Sequence, residues 1–98
     1  MKSKPSAAEI KKEREQAWIG DCILELFART WILENHGKIS GEMAMRMTNN
    51  QFLANSGNPT SIEAKIGVIY RTEGMEAAFS WIEQELLPLF LKQEKNRK

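Results

Sequence analysis

Asp21 and Glu25 lie inside the most apolar stretch of the chain, Ala17 to Leu33, among Trp18, Ile19, Cys22, Ile23, Leu24, Leu26, Phe27, Trp31, Ile32 and Leu33. An ionised carboxylate stripped of its partner in such a setting costs on the order of 3–5 kcal/mol. Each acid therefore needs a cation, a metal ion or water. Glu13, Ala17, Asp21, Glu25 and Arg29 recur every four residues, which on a helix makes one continuous stripe. A solvated face with a Glu25–Arg29 ion pair satisfies that spacing. The alternative puts a metal ion beside Asp21. Gly20 stands immediately before Asp21, and a glycine inside a helix costs about 1 kcal/mol relative to alanine, so another backbone is expected to approach there. Farther along, Glu63 and Gly67 repeat the pairing of a carboxylate and a small residue one turn apart, within the apolar series Ile62, Ile66, Ile69 and Tyr70. Two helices packed at these positions would turn Asp21 and Glu63 towards each other.

Other chemistry has little to stand on. His36 follows Asn35 in a turn and has no Cys, Asp or His at ligand spacing, and Cys22 has no partner at C-x-x-C spacing. No Ser- or Cys-based triad is visible. The 98 residues have room for one domain, 1–98, with a short N-terminal lead and a basic C-terminal tail from about 92 to 98. With 14 Lys and Arg against 13 Asp and Glu, the net charge of +1 excludes a chain that binds nucleic acid through bulk charge alone. A lone cysteine suits a reducing compartment. No apolar run is long enough for a bilayer, and the opening MKSKPSAAEIKKER is charged where a secretion signal needs its apolar core, so a cytoplasmic location without membrane contact is expected.

The positioning elements read as helices throughout. Ser6 and Glu9 form a capping-box pattern that starts a first helix, deeply buried over Ala17 to Leu33 and ended by Asn35-His36-Gly37-Lys38. A second helix begins after Ser40, carries Met43, Met45 and Met47 as core filler or a self-association surface, and breaks near Asn49-Asn50. Asn58 as cap with Pro59 in the first turn opens a third helix that runs to Gly74. A fourth follows, with Pro88 bending it or starting a new segment, and frays into Lys92 to Lys98. An all-α domain is the expected fold class, and its small core makes self-association favourable.

The run Ala17-Trp18-Ile19-Gly20-Asp21-Cys22-Ile23-Leu24-Glu25-Leu26 resembles the signature of the ribonuclease III catalytic domain. The run Thr60 to Tyr70, with Glu63-Ala64-Lys65-Ile66-Gly67 at its centre, resembles that family's second motif, and Asn50-Gln51-Phe52-Leu53-Ala54 is weakly similar to the segment between them. Of the family's four acids this chain keeps two: Asp21 at the Gly-Asp position and Glu63 at the acid of the second motif, with Ala17 and Thr60 where the others would stand. These departures are most similar to the compact Mini-III branch, which lacks a double-stranded RNA-binding domain, and the stretch between Asp21 and Glu63 is shorter than in typical members, which implies missing RNA-contacting loops.

The resemblance implies a compact ribonuclease III-like helical domain that forms a symmetric homodimer and hydrolyses phosphodiester bonds in double-stranded or structured RNA. Asp21 and Glu63 would be both catalytic residues and ligands of Mg2+, for which Mn2+ would substitute, with Glu25 supporting them from behind. Mg2+ typically takes one or two carboxylates and fills the rest of its shell with water and phosphate oxygens. Trp18, which by itself reads as core, becomes the homodimer contact. Such RNA is read by shape, phosphates and 2′-hydroxyls, and the tail residues Lys92, Lys95, Arg97 and Lys98 are the expected RNA contacts, with Lys38, Arg46, Lys65 and Arg71 as further basic candidates. The alternative is a catalytically silent ribonuclease III-like module that binds structured RNA or a ribonucleoprotein. A helical dimer with no RNA role is a third possibility.

Overall fold

A computed structural model describes residues 4–97, and among them every regular element is a helix. The capping box forms as expected: the Glu9 amide donates to Ser6 Oγ at 3.1 Å and the Ser6 amide to Glu9 Oε1 at 3.2 Å. It opens α1 (Ala7–Asn35), whose end is closed by Gly37 at φ 83°. Ser40 caps α2 (Gly41–Thr48), and Asn49 then caps the single turn α3 (Asn50–Leu53) with a 2.7 Å bond from the Phe52 amide. Asn58 and Pro59 start α4 (Pro59–Glu73), and Gly74 at φ 95° separates it from α5 (Met75–Glu85). Leu86 then separates α5 from α6 (Leu87–Lys95), so Pro88 sits in the first turn of a new helix, where its missing N–H costs nothing.

The core gathers around Phe90. Trp31 and Phe52 meet its ring edge-on, with centroids at 5.9 and 6.1 Å, and Phe27 meets Phe79 in the same way at 5.3 Å. Leu24, Ala28 and Ile32 of α1, Met47 of α2, Leu53 of α3, Ile66 of α4, Ile82 of α5 and Leu86 complete it. α6 is therefore a core element, and the expectation that the chain frays from Lys92 onward is corrected. The helix persists to Lys95 because Glu94 is tied to α2.

The reading of α1 as deeply buried also needs correction. Only one side of it packs inward, through Gly20, Ile23, Leu24, Phe27, Ala28 and Ile32. Trp18, Leu26 and Leu33 remain 80%, 46% and 54% exposed, and Cys22 is exposed among them. The methionines of α2 divide likewise: Met47 is core, Met43 packs beside it, and Met45 faces outward.

Candidate functional site

The site is built where α1 crosses α4. A Cβ placed on Gly20 would stand 1.7 Å from the Glu63 carbonyl oxygen, and one on Gly67 would stand 2.0 Å from that of Gln16. No side chain fits between these backbones, which explains why glycine occupies both positions in spite of its helical cost. The crossing is centred on these two glycines, with Gly20 against Glu63 and Gly67, Gly67 against Gln16 and Gly20, and Ser61 near Glu13.

With the backbones this close, the residues flanking the glycines have nowhere to diverge. Asp21, exposed beside Gly20, comes within hydrogen-bonding reach of the half-buried Glu63. Burial first, and then the hydrogen bond and the charge of Asp21, push the Glu63 carboxyl up to about 7. Among the described residues no Lys, Arg or His lies within 4.0 Å of either acid. Once Glu63 ionises, the fold holds two like charges together against their own repulsion.

Glu25 follows the simpler expectation. Its carboxylate is 3.5 Å from Arg29 Nε, the (i, i+4) pair read from the stripe, and its Oε1 accepts from Thr48 Oγ1 at 3.2 Å. It is tied to α2 and does not share the Asp21–Glu63 contact. Glu13, at the other end of the stripe, accepts from Ser61 Oγ at 3.3 Å. Sequence reasoning placed Glu13 on the stripe but had no signal for its partner.

The two positions that stand where the resemblance would put acids supply none: Ala17 is buried and Thr60 is partly buried. Among the described residues no group of three or more His, Cys, Asp or Glu gathers in a way suited to a metal ion. What remains is a pair of carboxylates, hard oxygen donors with no cation beside them. That donor set fits an ion such as Mg2+, which completes its shell with water and substrate oxygens.

The remaining candidates scatter. Trp18 is on the outer face of α1 and takes no part in the core. Arg46, one of the basic candidates, is not free for phosphate: its Nε and Nη2 donate to Glu94 Oε2 and Oε1, both at 2.9 Å. That pair raises the guanidinium's pKa and holds the Glu94 carboxyl below the usual carboxylate range. Lys92 and Lys95 are exposed in the last turn of α6, and Arg97 approaches Glu94 at 4.0 Å. Lys98 lies outside the described residues. His36 forms the exposed end of α1. No helix among the described residues is long and apolar enough to cross a membrane. No protein-family model, no curated protein and no solved structure matches this chain.

Proposed function

We propose that this chain is a ribonuclease III-like endoribonuclease, most similar to Mini-III, that hydrolyses double-stranded or structured RNA with Mg2+ as a homodimer in the cytoplasm. The observation that carries this reading is the cation-free contact of Asp21 and Glu63, enforced by the Gly20–Gly67 crossing. Both residues lie in the two motifs that resemble the family.

Asp21 and Glu63 would hold the ion, which when bound activates a water and offsets charge on the phosphate and the leaving oxygen. Asp21, being exposed, is the residue accessible to an RNA phosphate. Glu63 is recessed, and without the ion its carboxyl retains a proton up to about pH 7. Glu25, anchored by Arg29 and Thr48, adds negative potential one turn from Asp21 without competing for its place. Lys92, Lys95 and Arg97 supply positive charge for the RNA backbone, making affinity steeply salt-dependent and weakly sequence-dependent. Trp18 presents an apolar surface suited to a second copy.

One observation favours the silent RNA-binding module instead: Ala17 and Thr60 leave the site with two acids. Purified protein incubated with long double-stranded RNA separates the two. The enzyme cleaves it with Mg2+ or Mn2+ and stops in EDTA, and Asp21→Asn or Glu63→Gln abolishes cleavage while RNA binding survives. Intact RNA after long incubation of the native dimer with either ion overturns the enzymatic reading.

A further inference from the structure

The C-terminal part of α1, α5 and the first residue of α6 enclose a cavity of about 380 Å³, walled by Phe27, Trp31, Phe79 and Leu87 and rimmed by Glu34 and Glu83. Its aromatic walls are fixed in place. Phe27 and Phe79 lock edge to face with centroids at 5.3 Å, and Trp31 is pinned by Phe90 at 5.9 Å, yet Trp31 and Phe79 both stay partly exposed. The rim is acidic. Glu34 and Glu83 are exposed, and among the described residues neither has a Lys, Arg or His within 4.0 Å. Asn35 donates its Nδ2 to the Trp31 carbonyl at 3.0 Å, which holds it at the same rim with its Oδ1 still able to accept. α5 carries Glu76, Glu83 and Glu85 and no Lys or Arg, and Glu76 shares the stripe of Phe79 and Glu83. Arg29, the only Lys or Arg of α1 beyond Arg14, stands about 140° round the helix from Glu34. It is taken by Glu25, on the side of α1 that meets α2.

We propose that this cavity binds an arginine side chain carried on a segment of a partner protein. Walls and rim select for it together. An anion is repelled by the two acids, and a neutral apolar group would strip water from them without compensation. A hydrated metal ion would gain nothing from the rings or from Leu87. An organic cation uses every part of the site. Glu34 and Glu83 offset its charge, its apolar stem covers Phe27 and Leu87, and its head lies on Trp31 or Phe79, where the ring face attracts positive charge. Arginine suits the site better than lysine, because its guanidinium is planar, weakly hydrated and able to stack on a ring while donating to a carboxylate. Walls that are already locked need no ordering when it binds. A peptide-borne side chain is favoured over free arginine, whose α-carboxylate would enter the same negative field. Glu34 is 13 residues along α1 from Asp21, about 20 Å, so the site is independent of the Asp21–Glu63 pair and of RNA hydrolysis.

The test is a nuclear magnetic resonance titration of the isotope-labelled full chain with the capped peptide acetyl-Gly-Arg-Gly-amide at low salt, read at the indole N–H signals of Trp18, Trp31 and Trp81. Trp31 should shift with millimolar affinity, and Trp18 and Trp81 should not. The matching citrulline peptide, which keeps the shape and lacks the charge, should not bind, and the lysine peptide should bind more weakly. Glu34→Gln and Glu83→Gln should each weaken binding by about two- to fivefold, and together by about tenfold. Both positions are exposed, so far-UV circular dichroism should be unchanged. Glu85→Gln removes the same charge from the other side of α5 and should leave the affinity as it was. A silent Trp31 signal, equal binding of the citrulline peptide, or an equal loss in Glu85→Gln overturns the site. Lysine binding as tightly as arginine overturns the choice of guanidinium, and free arginine binding as tightly as the capped peptide overturns the partner segment as its source.

Discussion

Glu63 and Glu94 are both partly buried glutamates near helix crossings, and their surroundings drive them in opposite directions. Glu94 receives two hydrogen bonds at 2.9 Å from Arg46, which stabilise its charge and fasten α6 to α2. Glu63 receives another carboxylate, and its proton is retained to about pH 7. The first is a charge used for holding the fold together. The second is a carboxyl whose charged form the fold leaves unsatisfied, and a site that binds a cation must be of this kind, because an acid already paired with arginine has no affinity to spare.

The contrast is broken most severely at the glycines. Gly20→Ala forces a methyl group into the Glu63 carbonyl, so α1 must move off α4. The expected loss is on the order of 3 kcal/mol or more, a fall in Tm of more than about 10 °C for a domain of this size. Thermal unfolding by circular dichroism would read it. Gly37→Ala serves as a control, because its Cβ would meet nothing within 4 Å and only its positive φ resists the change.

Glu94→Ala comes next. It leaves the Arg46 guanidinium without its two bonds and should cost about 1–3 kcal/mol at neutral pH. Because the folded-state pKa of Glu94 is depressed, this contribution exists above the ordinary carboxylate range and disappears as pH falls through the folded value. Native and variant stabilities should therefore converge in acid. Chemical denaturation across pH measures this.

Glu63→Gln should act with the opposite sign. The folded-state pKa is raised from 4.5 to about 7, so the native state holds the proton more tightly and stability declines as pH rises through that interval. Removing the charge should leave stability at pH 8 equal or higher by about 1 kcal/mol and flatten the pH dependence. Asp21→Asn should relieve the same repulsion. A loss of more than about 1 kcal/mol from either would mean that the pair is structural after all. Glu25→Gln is expected to have the smallest effect, about 0.3–0.5 kcal/mol, since its partner Arg29 is 73% exposed.

Local chemistry made much of this legible in the sequence. The caps at Ser6, Ser40 and Asn58 each act within three residues of themselves, and Gly20 and Gly67 announce a close crossing because nothing else justifies glycine in a helix. The same logic brought Asp21 and Glu63 together. What escaped was set by distant partners. The pairing of Arg46 with Glu94 has no local signature, so Arg46 read as a free cation and α6 as a fraying end. The outer face of α1 escaped for a different reason. Trp18, Cys22, Leu26 and Leu33 are as apolar as the inner face, and periodicity cannot distinguish a surface that meets this chain's own core from one left uncovered.

The most direct test of the central claim, that the unsatisfied pair of carboxylates is a divalent-cation site, is a titration of the full chain with Mn2+ followed by electron paramagnetic resonance at pH 8. The expected result is one ion bound per chain, displaced by Mg2+, lost in both Asp21→Asn and Glu63→Gln, and retained in Glu25→Gln and Glu94→Gln. Failure of the native chain to bind Mn2+, or equal binding by all four variants, would contradict it.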